Sequence, residues 1–244
     1  MKNIAIILSA GSGTRFGADM PKQYHELEGK PIIYYTINSF VKTGIFDGIV
    51  LVMQPDFFEL GQDLLNKYFS SEFNKCKFHI CKGGSHRQES LYFGVKEAKR
   101  IFSNQDSKTP EIAIFSHCAA RPIVPEDIIL KNRDSIEQGF SVNTVKNVYD
   151  TVIYEDEKSN CSFIDRTKTF LTLTPQSFVC DDYINAYDIL SSKDNDMSKY
   201  TCACSLMHDA GYPIKLIKTD SSIHKLTTQA DIETIRQLIN DSNN

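Results

Sequence analysis

Residues 5–17 read AIILSAGSGTRFG, and the chain continues to Pro21-Lys22-Gln23. The first letters form a short apolar run, typical of a buried strand, and the run breaks into a loop of glycines and other small residues. Glycines let backbone N–H groups approach phosphate oxygens without a Cβ in the way, and Arg15 and Lys22 add positive charge. The stretch therefore predicts a strand that leads into a phosphate-binding loop, with Arg15 and Lys22 as exposed cations.

Two well-known phosphate loops do not fit this stretch. A P-loop needs Gly-Lys-Ser/Thr after its second glycine, whereas Gly17 is followed by Ala18-Asp19. A dinucleotide fingerprint needs Gly-x-Gly-x-x-Gly, and here three residues separate Gly13 from Gly17. A plain surface turn stays an alternative, since glycine also marks ordinary turns. The loop cations favour phosphate binding over that alternative.

The segment LSAGSGTR at residues 8–15, with PKQ at residues 21–23, resembles the signature of nucleotidyltransferases that transfer CMP from CTP to small polyol phosphates. Known members are the methylerythritol-phosphate and ribitol-5-phosphate cytidylyltransferases. Sugar-nucleotide pyrophosphorylases in general share the first segment, whereas the PKQ ending is narrower. The resemblance implies that Ala10, Gly11 and Gly13 bind the nucleotide and that Arg15 and Lys22 are catalytic.

Length and composition limit the class of protein. A chain of 244 residues is long enough for one α/β domain, and we expect a single nucleotidyltransferase domain over residues 1–244. The net charge of −4 shows no basic footprint for nucleic acid. No apolar run approaches the roughly 20 residues of a membrane span, and residues 1–4 lead directly into the first strand without a signal peptide. We expect a cytoplasmic protein with small-molecule partners, without nucleic acid or membrane.

The chain contains seven cysteines at irregular spacing, which favours reduced thiols over a disulfide framework. Cys202-x-Cys204 lacks the two-residue gap of common zinc knuckles, and no matching pair stands nearby. The pattern therefore does not predict a metal cluster of cysteines.

Alternating strand and helix signals predict the fold. A helical pattern over residues 33–41 precedes Gly48–Met53, a continuous apolar run of the kind buried on both faces of a sheet. Strand, loop, helix and strand in this order form a β-α-β unit, which implies a parallel sheet. Further helices are predicted at 57–69, 181–190, 201–211 and 229–239, and another follows residues 83–90 and runs to residue 98. Further strands are predicted at 77–81, 111–116 and 214–218. We expect an α/β fold with a Rossmann-like, doubly wound, mostly parallel sheet.

The segment at residues 83–90, Gly83-Gly84-x-x-Arg87-x-x-Ser90, follows the strand at 77–81 and opens a helix. Open α/β sheets bind ligands at such strand ends, although a plain β-α turn would look similar. The segment also resembles the one that recognises cytosine in the cytidylyltransferases. The resemblance implies that Gly83, Gly84 and Ser90 bind the nucleotide, while Ser85 stands where the family is often acidic.

The next strand leads into residues 117–122, HCAARP, which resemble the family's His-Asp-x-x-Arg-Pro. The resemblance implies that Arg121 binds the nucleotide. Cys118 replaces the aspartate that helps hold Mg²⁺ in the family, so either phosphates, water and another carboxylate hold the metal, or catalysis is impaired. A Cys-His nucleophile is disfavoured because adjacent strand residues point to opposite faces.

Strand and turn signals over residues 141–166 predict a β-hairpin. In the family an arm in this region, here at about 141–172, reaches across a homodimer and supplies an arginine to the neighbour's acceptor site. The resemblance assigns that function to Arg166, with a solvated surface arginine as the alternative.

Three motifs near the C-terminal end complete the resemblance. Thr174, in a Thr-Pro-Gln turn, and Thr201, which also suits a helix N-cap, correspond to acceptor-binding residues. Lys225 corresponds to the lysine of the closing motif that faces the triphosphate, so it is predicted to be catalytic. Asp220 is the candidate Mg²⁺ ligand in place of Cys118.

These motifs together imply a CTP-dependent cytidylyltransferase that needs Mg²⁺. Residues 142–153 and 223–228 look closer to the ribitol-phosphate branch, which points to a CDP-alditol for a surface polysaccharide. Methylerythritol phosphate, for isoprenoid synthesis, is the second acceptor. A non-catalytic nucleotide-binding dimer is the alternative from another class, because Cys118 and Cys202 replace family acids.

Overall fold

The computed structural model describes residues 1–11, 20–103, 111–193 and 196–243. Its strands are β1 (Lys2–Leu8), β2 (Glu26–Leu27), β3 (Lys30–Pro31), β4 (Gly48–Met53), β5 (Lys77–Lys82), β6 (Ile112–Cys118), β7 (Ser141–Asn147), β8 (Val152–Glu155), β9 (Cys161–Ile164), β10 (Phe170–Val179) and β11 (Ile214–Lys218). Its α-helices are α1 (Ile32–Val41), α2 (Phe58–Phe69), α3 (Arg87–Phe102), α4 (Glu126–Glu137), α5 (Cys180–Ser191), α6 (Ala203–Asp209) and α7 (Asp231–Asn243).

Seven strands form the central sheet in the order β11-β7-β10-β6-β1-β4-β5. β1 pairs in parallel with both β4 and β6, β4 with β5, and β7 with β11, whereas β10 runs antiparallel to β6 and β7. The predicted mostly parallel sheet is confirmed. Parallel strands present their carboxyl ends at one edge, and β1, the first predicted strand, lies near the middle of that edge.

Helices cover both faces of the sheet, because successive strand side chains alternate between its two sides. Ala5 and Ile7 of β1 belong to a buried cluster with residues of α1, α2 and α4. Ile4 and Ile6 belong to a second buried cluster with residues of α3, α5 and α6. These two apolar layers make the sheet doubly wound, as predicted.

β10 differs from the sequence interpretation, which treated residues 172–178 as a turn. The segment lies inside the central sheet, and its register to β7 shifts between Thr172 and Gln176. Pro175 stands within that irregularity, where a strand tolerates a residue that lacks an N–H group. The Thr-Pro-Gln segment that contains Thr174 is therefore held in place by strand pairing.

The predicted arm also has different bounds. Residues 141–147 belong to the central sheet as β7, and the chain leaves the sheet only afterwards. β8 and β9 then pair with each other in a separate two-stranded antiparallel sheet, with Val152 opposite Ile164. The hairpin carries large exposed apolar side chains, among them Phe163 at 74% exposure.

Within the described parts of the chain, every helix is too short or too polar to cross a bilayer. All seven cysteines are free thiols.

Candidate active site

A cavity of about 480 Å³ opens at the carboxyl ends of β1, β4, β5 and β6. Its lining comes from residues 8–11, 22–23, Gln54, 84–87, Ser90, 118–120 and Lys225. Open α/β sheets bind ligands at this edge, outside the strand ends.

Six of the predicted site residues line this cavity: Ala10, Gly11, Lys22, Gly84, Ser90 and Lys225. Two others, Gly13 and Arg15, lie outside the described residues. The sequence therefore predicted which distant segments meet here, although the glycine-rich loop is described only up to Gly11.

The Pro-Lys-Gln segment and the tyrosine after it form hydrogen bonds with the start of the glycine-rich loop that follows β1, here called the first loop. Lys22, Gln23 and Tyr24 form a short 3-10 turn and are all buried. The Gln23 amide donates to the carbonyl oxygen of Ser9 at 2.7 Å, and the hydroxyls of Tyr24 and Ser9 lie 2.9 Å apart. Lys22 is only 8% exposed, so the expectation of an exposed loop cation was wrong for this residue. Lys22 belongs to the same turn as Gln23 and Tyr24, so it lies in the wall of the cavity.

Three backbone N–H groups of the loop after β5 donate to acceptors within the protein. The N–H of Gly83 donates to the carbonyl oxygen of Met53 at 2.8 Å, and that of Gly84 to the hydroxyl of Ser90 at 3.0 Å. The N–H of Ser85 donates to the Glu89 carboxylate at 2.6 Å. Since these three donors are used, carbonyl oxygens are the main-chain groups that residues 83–85 can offer to a ligand.

The two glycines of this loop permit close approaches. A Cβ on Gly83 would lie 2.3 Å from the Cβ of Ala10, which would push the two strand-end loops apart. A Cβ on Gly84 would lie 2.4 Å from the Cγ of Glu89. Gly83 is not among the residues that line the cavity. Its position against Ala10 brings the first loop and the β5 loop together.

Positive charge surrounds the thiol of Cys118 on the cavity wall. Burial acts to raise the pKa of this thiol, but the cations Arg87, Lys225 and Arg121 and a hydrogen bond from the Ala120 N–H outweigh it and leave the pKa below its usual value. A cavity with this excess of cations suits a ligand that carries several negative charges, as a nucleoside triphosphate does.

Arg121 lies behind the cavity, and it is not among the residues that line it. Its guanidinium donates to the carbonyl oxygen of Ile223, and the N–H of Leu226 donates to the carbonyl oxygen of Ala120 at 2.8 Å. These two hydrogen bonds join the turn after β6 to the segment that carries Lys225. Arg121 thus helps to position the cavity lysine, and its contact with the nucleotide stays a prediction.

His117 supports the same turn from the interior. Its Nε2 lies 3.0 Å from the carbonyl oxygen of Arg121, which can only accept, so Nε2 carries the proton. Burial lowers the pKa of His117 to about 3, and the nearby cations Arg121 and Arg87 add to that effect. His117 is therefore neutral at pH 7 and holds the turn by hydrogen bonding.

The described residues place no carboxylate ligand for Mg²⁺ in the wall of the cavity. No Asp or Glu is among the described residues that line the cavity, and no group of three His, Cys, Asp or Glu in the described chain could hold a metal. Asp220 is exposed, and its carboxylate accepts from the Tyr149 hydroxyl at 3.1 Å. Asp220 follows strand β11. Strands β7 and β10 lie between β11 and β6, so at ordinary strand spacing β11 is about 14 Å from β6. The structure does not bring this predicted ligand into the cavity.

The predicted acceptor residues lie on a neighbouring part of the same edge. Thr174 is buried, and its hydroxyl has no hydrogen-bond partner among the described residues. The start of α6 is joined to this strand because the Ala203 N–H donates to the Gln176 side chain at 2.9 Å. Thr201 is exposed just before α6, but the N-cap is Cys202, whose sulfur accepts from the Ser205 N–H at 3.4 Å.

Arg166 lies at the base of the hairpin. It is exposed, and its guanidinium donates to the carbonyl oxygen of Tyr149 at 2.6 Å. Because the Tyr149 hydroxyl in turn donates to Asp220, these residues link the hairpin to the end of β11.

Several residues that line the cavity were given no function from the sequence, among them Gln23, Gln54 and Arg87. The Gln54 amide donates to the carbonyl oxygen of Ala10 at 2.9 Å and so clamps the first loop together with Gln23. Gln54 directly follows a predicted buried strand, and strand ends at this edge are where site residues are expected. That rule would have identified Gln54 from the sequence.

Comparison with known proteins agrees with this site. The family model described as 2-C-methyl-D-erythritol 4-phosphate cytidylyltransferase matches residues 3–240. A ribitol-5-phosphate cytidylyltransferase of Lactiplantibacillus plantarum is 30% identical over 237 residues, which cover 96% of this chain and 97% of the relative. The enzyme of that name from Streptococcus pneumoniae is 31% identical over 241 residues, with the same coverage of both chains.

Solved structures show the same fold. A 4-diphosphocytidyl-2C-methyl-D-erythritol synthase from Anaerococcus prevotii superimposes with a TM-score of 0.77 at 24% identity, and the match covers 98% of each chain. The 2-C-methyl-D-erythritol 4-phosphate cytidylyltransferase of Francisella tularensis gives 0.74 at 25% identity over 97% of this chain and 99% of that one. The chain belongs to the 2-C-methyl-D-erythritol 4-phosphate cytidylyltransferase family. It is therefore a nucleotidyltransferase that uses CTP.

Proposed function

We propose that this enzyme transfers CMP from CTP to ribitol 5-phosphate or a closely similar alditol phosphate, giving a CDP-alditol and pyrophosphate. The observation that carries the proposal is the cavity in which Lys22, Arg87 and Lys225 meet the β5 loop at the carboxyl edge of the sheet. The cations suit the triphosphate end of a nucleoside triphosphate, and the loop after β5, here called the base-reading loop, suits its base.

The chemistry requires little proton transfer. An oxygen of the alditol phosphate attacks the α-phosphorus of CTP, a new P–O bond forms, and the bond to the β-phosphate breaks to release pyrophosphate. Attacking and attacked groups are both anionic, so the protein acts mainly by neutralising charge and holding the groups in line. We assign Lys22 and Lys225 to the charge that develops on the α-phosphate and leaving group, with Arg15 of the glycine-rich loop as a further cation.

Mg²⁺ stays a prediction from the family resemblance. Cys118 is a poor ligand for this hard cation, and no Asp or Glu is among the described residues that line the cavity, so the triphosphate and water would supply most of the oxygen ligands.

The base-reading loop supports CTP over UTP. The N–H groups of Gly83, Gly84 and Ser85 are occupied within the protein, which leaves carbonyl oxygens to face the base. Cytosine presents an amino group to such acceptors, whereas uracil presents another oxygen. Two facing acceptors without a proton between them lose a hydrogen bond, so the site should discriminate between these bases.

The acceptor is assigned from the relatives at 30% and 31% identity, which are named for ribitol 5-phosphate. Thr174, Thr201 and Arg166 are the proposed acceptor-binding residues, and the unpartnered Thr174 hydroxyl supports that assignment. 2-C-methyl-D-erythritol 4-phosphate is the second candidate, because the family model and the solved structures carry its name.

We further propose that the protein works as one nucleotidyltransferase domain in a homodimer built through the β8–β9 hairpin. An isolated two-stranded hairpin is marginally stable in water, and this one exposes Ile153 and Tyr154, each at 56%, as well as Phe163. A second copy of the chain would cover these side chains and place its Arg166 near the acceptor. Cytoplasmic location stays a prediction that cell fractionation would test.

The deciding experiment measures pyrophosphate release with Mg²⁺ across CTP, UTP and ATP and a panel of acceptors that includes ribitol 5-phosphate and 2-C-methyl-D-erythritol 4-phosphate. We expect release only with CTP and most rapidly with ribitol 5-phosphate. Faster release with methylerythritol phosphate would reassign the acceptor. CTP binding without release for any acceptor would favour the non-catalytic nucleotide-binding dimer.

A further inference from the structure

The first turn of α3 points two side chains, those of Glu89 and Ser90, back onto the loop that precedes it. The Glu89 carboxylate accepts from both the N–H and the hydroxyl of Ser85, at 2.6 and 2.7 Å, through the same oxygen. The Ser90 hydroxyl accepts from the N–H of Gly84 at 3.0 Å. His86 is the N-cap, and its ring accepts from the N–H of Glu89 at 3.2 Å. The loop and the helix start therefore hold each other.

We propose that Glu89 is a positioning residue, whose carboxylate fixes Ser85 and through it the main chain that reads the base. This inference rests on the proposed use of CTP and adds a residue to that site. Glu89 itself is not among the residues that line the cavity, whereas Gly84, Ser85 and His86 are. Its effect on the nucleotide is thus transmitted by the loop.

The loop is shaped around this carboxylate. A Cβ at Gly84 would lie 2.5 Å from the Oε2 atom of Glu89, the oxygen that Ser85 bonds, so only glycine leaves room for the contact. The hydroxyl and N–H of Ser85 also hold the pKa of the Glu89 carboxyl below its usual value. The group is ionised at neutral pH, and hydrogen bonds to an ionised acceptor are stronger than those between neutral groups.

The contact also limits which side chain position 85 can carry. An aspartate at position 85 would place a second carboxylate against that of Glu89, and like charges this close repel. Ser85→Asp should weaken CTP binding more than Ser85→Ala, which removes only one of the two hydrogen bonds.

The test compares Glu89→Ala, Glu89→Gln and a control, Glu97→Ala. Glu97 lies on the same helix and binds Arg100 at 2.7 and 2.8 Å, away from the loop. Loss of two bonds to a charged acceptor in Glu89→Ala should raise the KM for CTP about 10-fold and leave kcat within about threefold. The Gln side chain keeps an oxygen that can accept both bonds, so Glu89→Gln should stay within about threefold of wild type in both.

Amide hydrogen exchange of the unliganded protein gives a readout that does not depend on turnover. We expect exchange at Ser85 to accelerate about 10-fold in Glu89→Ala and to stay near wild type in Glu89→Gln and Glu97→Ala. Wild-type KM and exchange in Glu89→Ala would overturn the inference, and so would a Gln variant as impaired as the Ala variant. If the wild type turns over no polyol phosphate, the proposed function fails, and calorimetric titration with CTP then tests the inference. No CTP binding by the wild type would overturn both.

Discussion

Lys22→Met tests whether the buried lysine of the cavity wall stabilises charge during the reaction. Methionine keeps an unbranched stem of similar length, so packing around a side chain that is only 8% exposed should survive. Removing one group that stabilises developing anionic charge costs about 3 kcal/mol, which corresponds to about a 100-fold loss in kcat. Because the lysine is shielded from water, bulk solvent cannot replace its charge.

The assay is steady-state pyrophosphate release with saturating CTP and acceptor, with thermal unfolding to verify the fold. Lys75→Met is the matched control, since Lys75 is exposed and makes only a 3.9 Å ion pair with Glu72. Lys22→Arg should also lose activity, because a planar guanidinium does not fit a space shaped for an ammonium group. A kcat for Lys22→Met within about threefold of wild type would refute the assignment of Lys22 to the transition state.

Three further outcomes follow from the structure. Cys118, whose pKa is lowered by its neighbouring cations, should react with iodoacetamide at a lower pH than an ordinary thiol, and CTP should protect it; mass spectrometry identifies the alkylated residue, and Cys118→Ser removes the signal. Asp220→Asn should leave the Mg²⁺ concentration for half-maximal rate unchanged, because Asp220 lies outside the cavity; an increased requirement would restore it as a ligand. Phe163→Glu should convert a dimer to monomer in sedimentation without unfolding the sheet, and a wild-type sedimentation profile would exclude the hairpin as the interface.

The parts of the fold that the sequence predicted well are those with an unambiguous apolar pattern. Gly48–Met53 has the predicted bounds because its continuous apolar run is typical of a strand buried on both faces of a sheet. Ile214–Lys218, where apolar residues and lysines are interspersed, also has the predicted bounds. α4 was not predicted, although Pro125 before two acidic residues and the apolar Ile128, Ile129 and Ile136 indicate a helix start and a buried face.

The errors have physical causes that a single sequence does not reveal. β10 contains Pro175, which argues against an interior strand unless a bulge is known in advance. Asp220 does not line the cavity although Lys225, which follows the same strand, does, because proximity to a motif in the chain does not decide which side chain faces the site. The burial of Lys22 likewise depends on tertiary contacts of Gln23 and Tyr24.

The site residues also fall into those that the sequence predicted and those that it did not. Lys22, Gly84, Ser90 and Lys225 were predicted by motif and do line one cavity. Residues that act by holding others, such as Gln54, carry no motif. The position of Gln54 at a strand end could have marked it as a candidate, but the group that it holds, the carbonyl oxygen of Ala10, is known only from the structure.

The hydrogen bond from Leu226 to Ala120 makes the cavity a late product of folding. Lys22 and Lys225 line the same cavity, although nearly the whole chain separates them. Forming a contact across so long a loop is slow compared with forming local contacts. The same segment is held by a cluster in which Ile235 and Ile239 of α7 join Ile32 of α1. A chain emerging from the ribosome can assemble the sheet through β10 well before it can close this site. Nucleotide affinity would therefore appear only once the last helix has docked, which makes binding of CTP a measure of complete synthesis and folding.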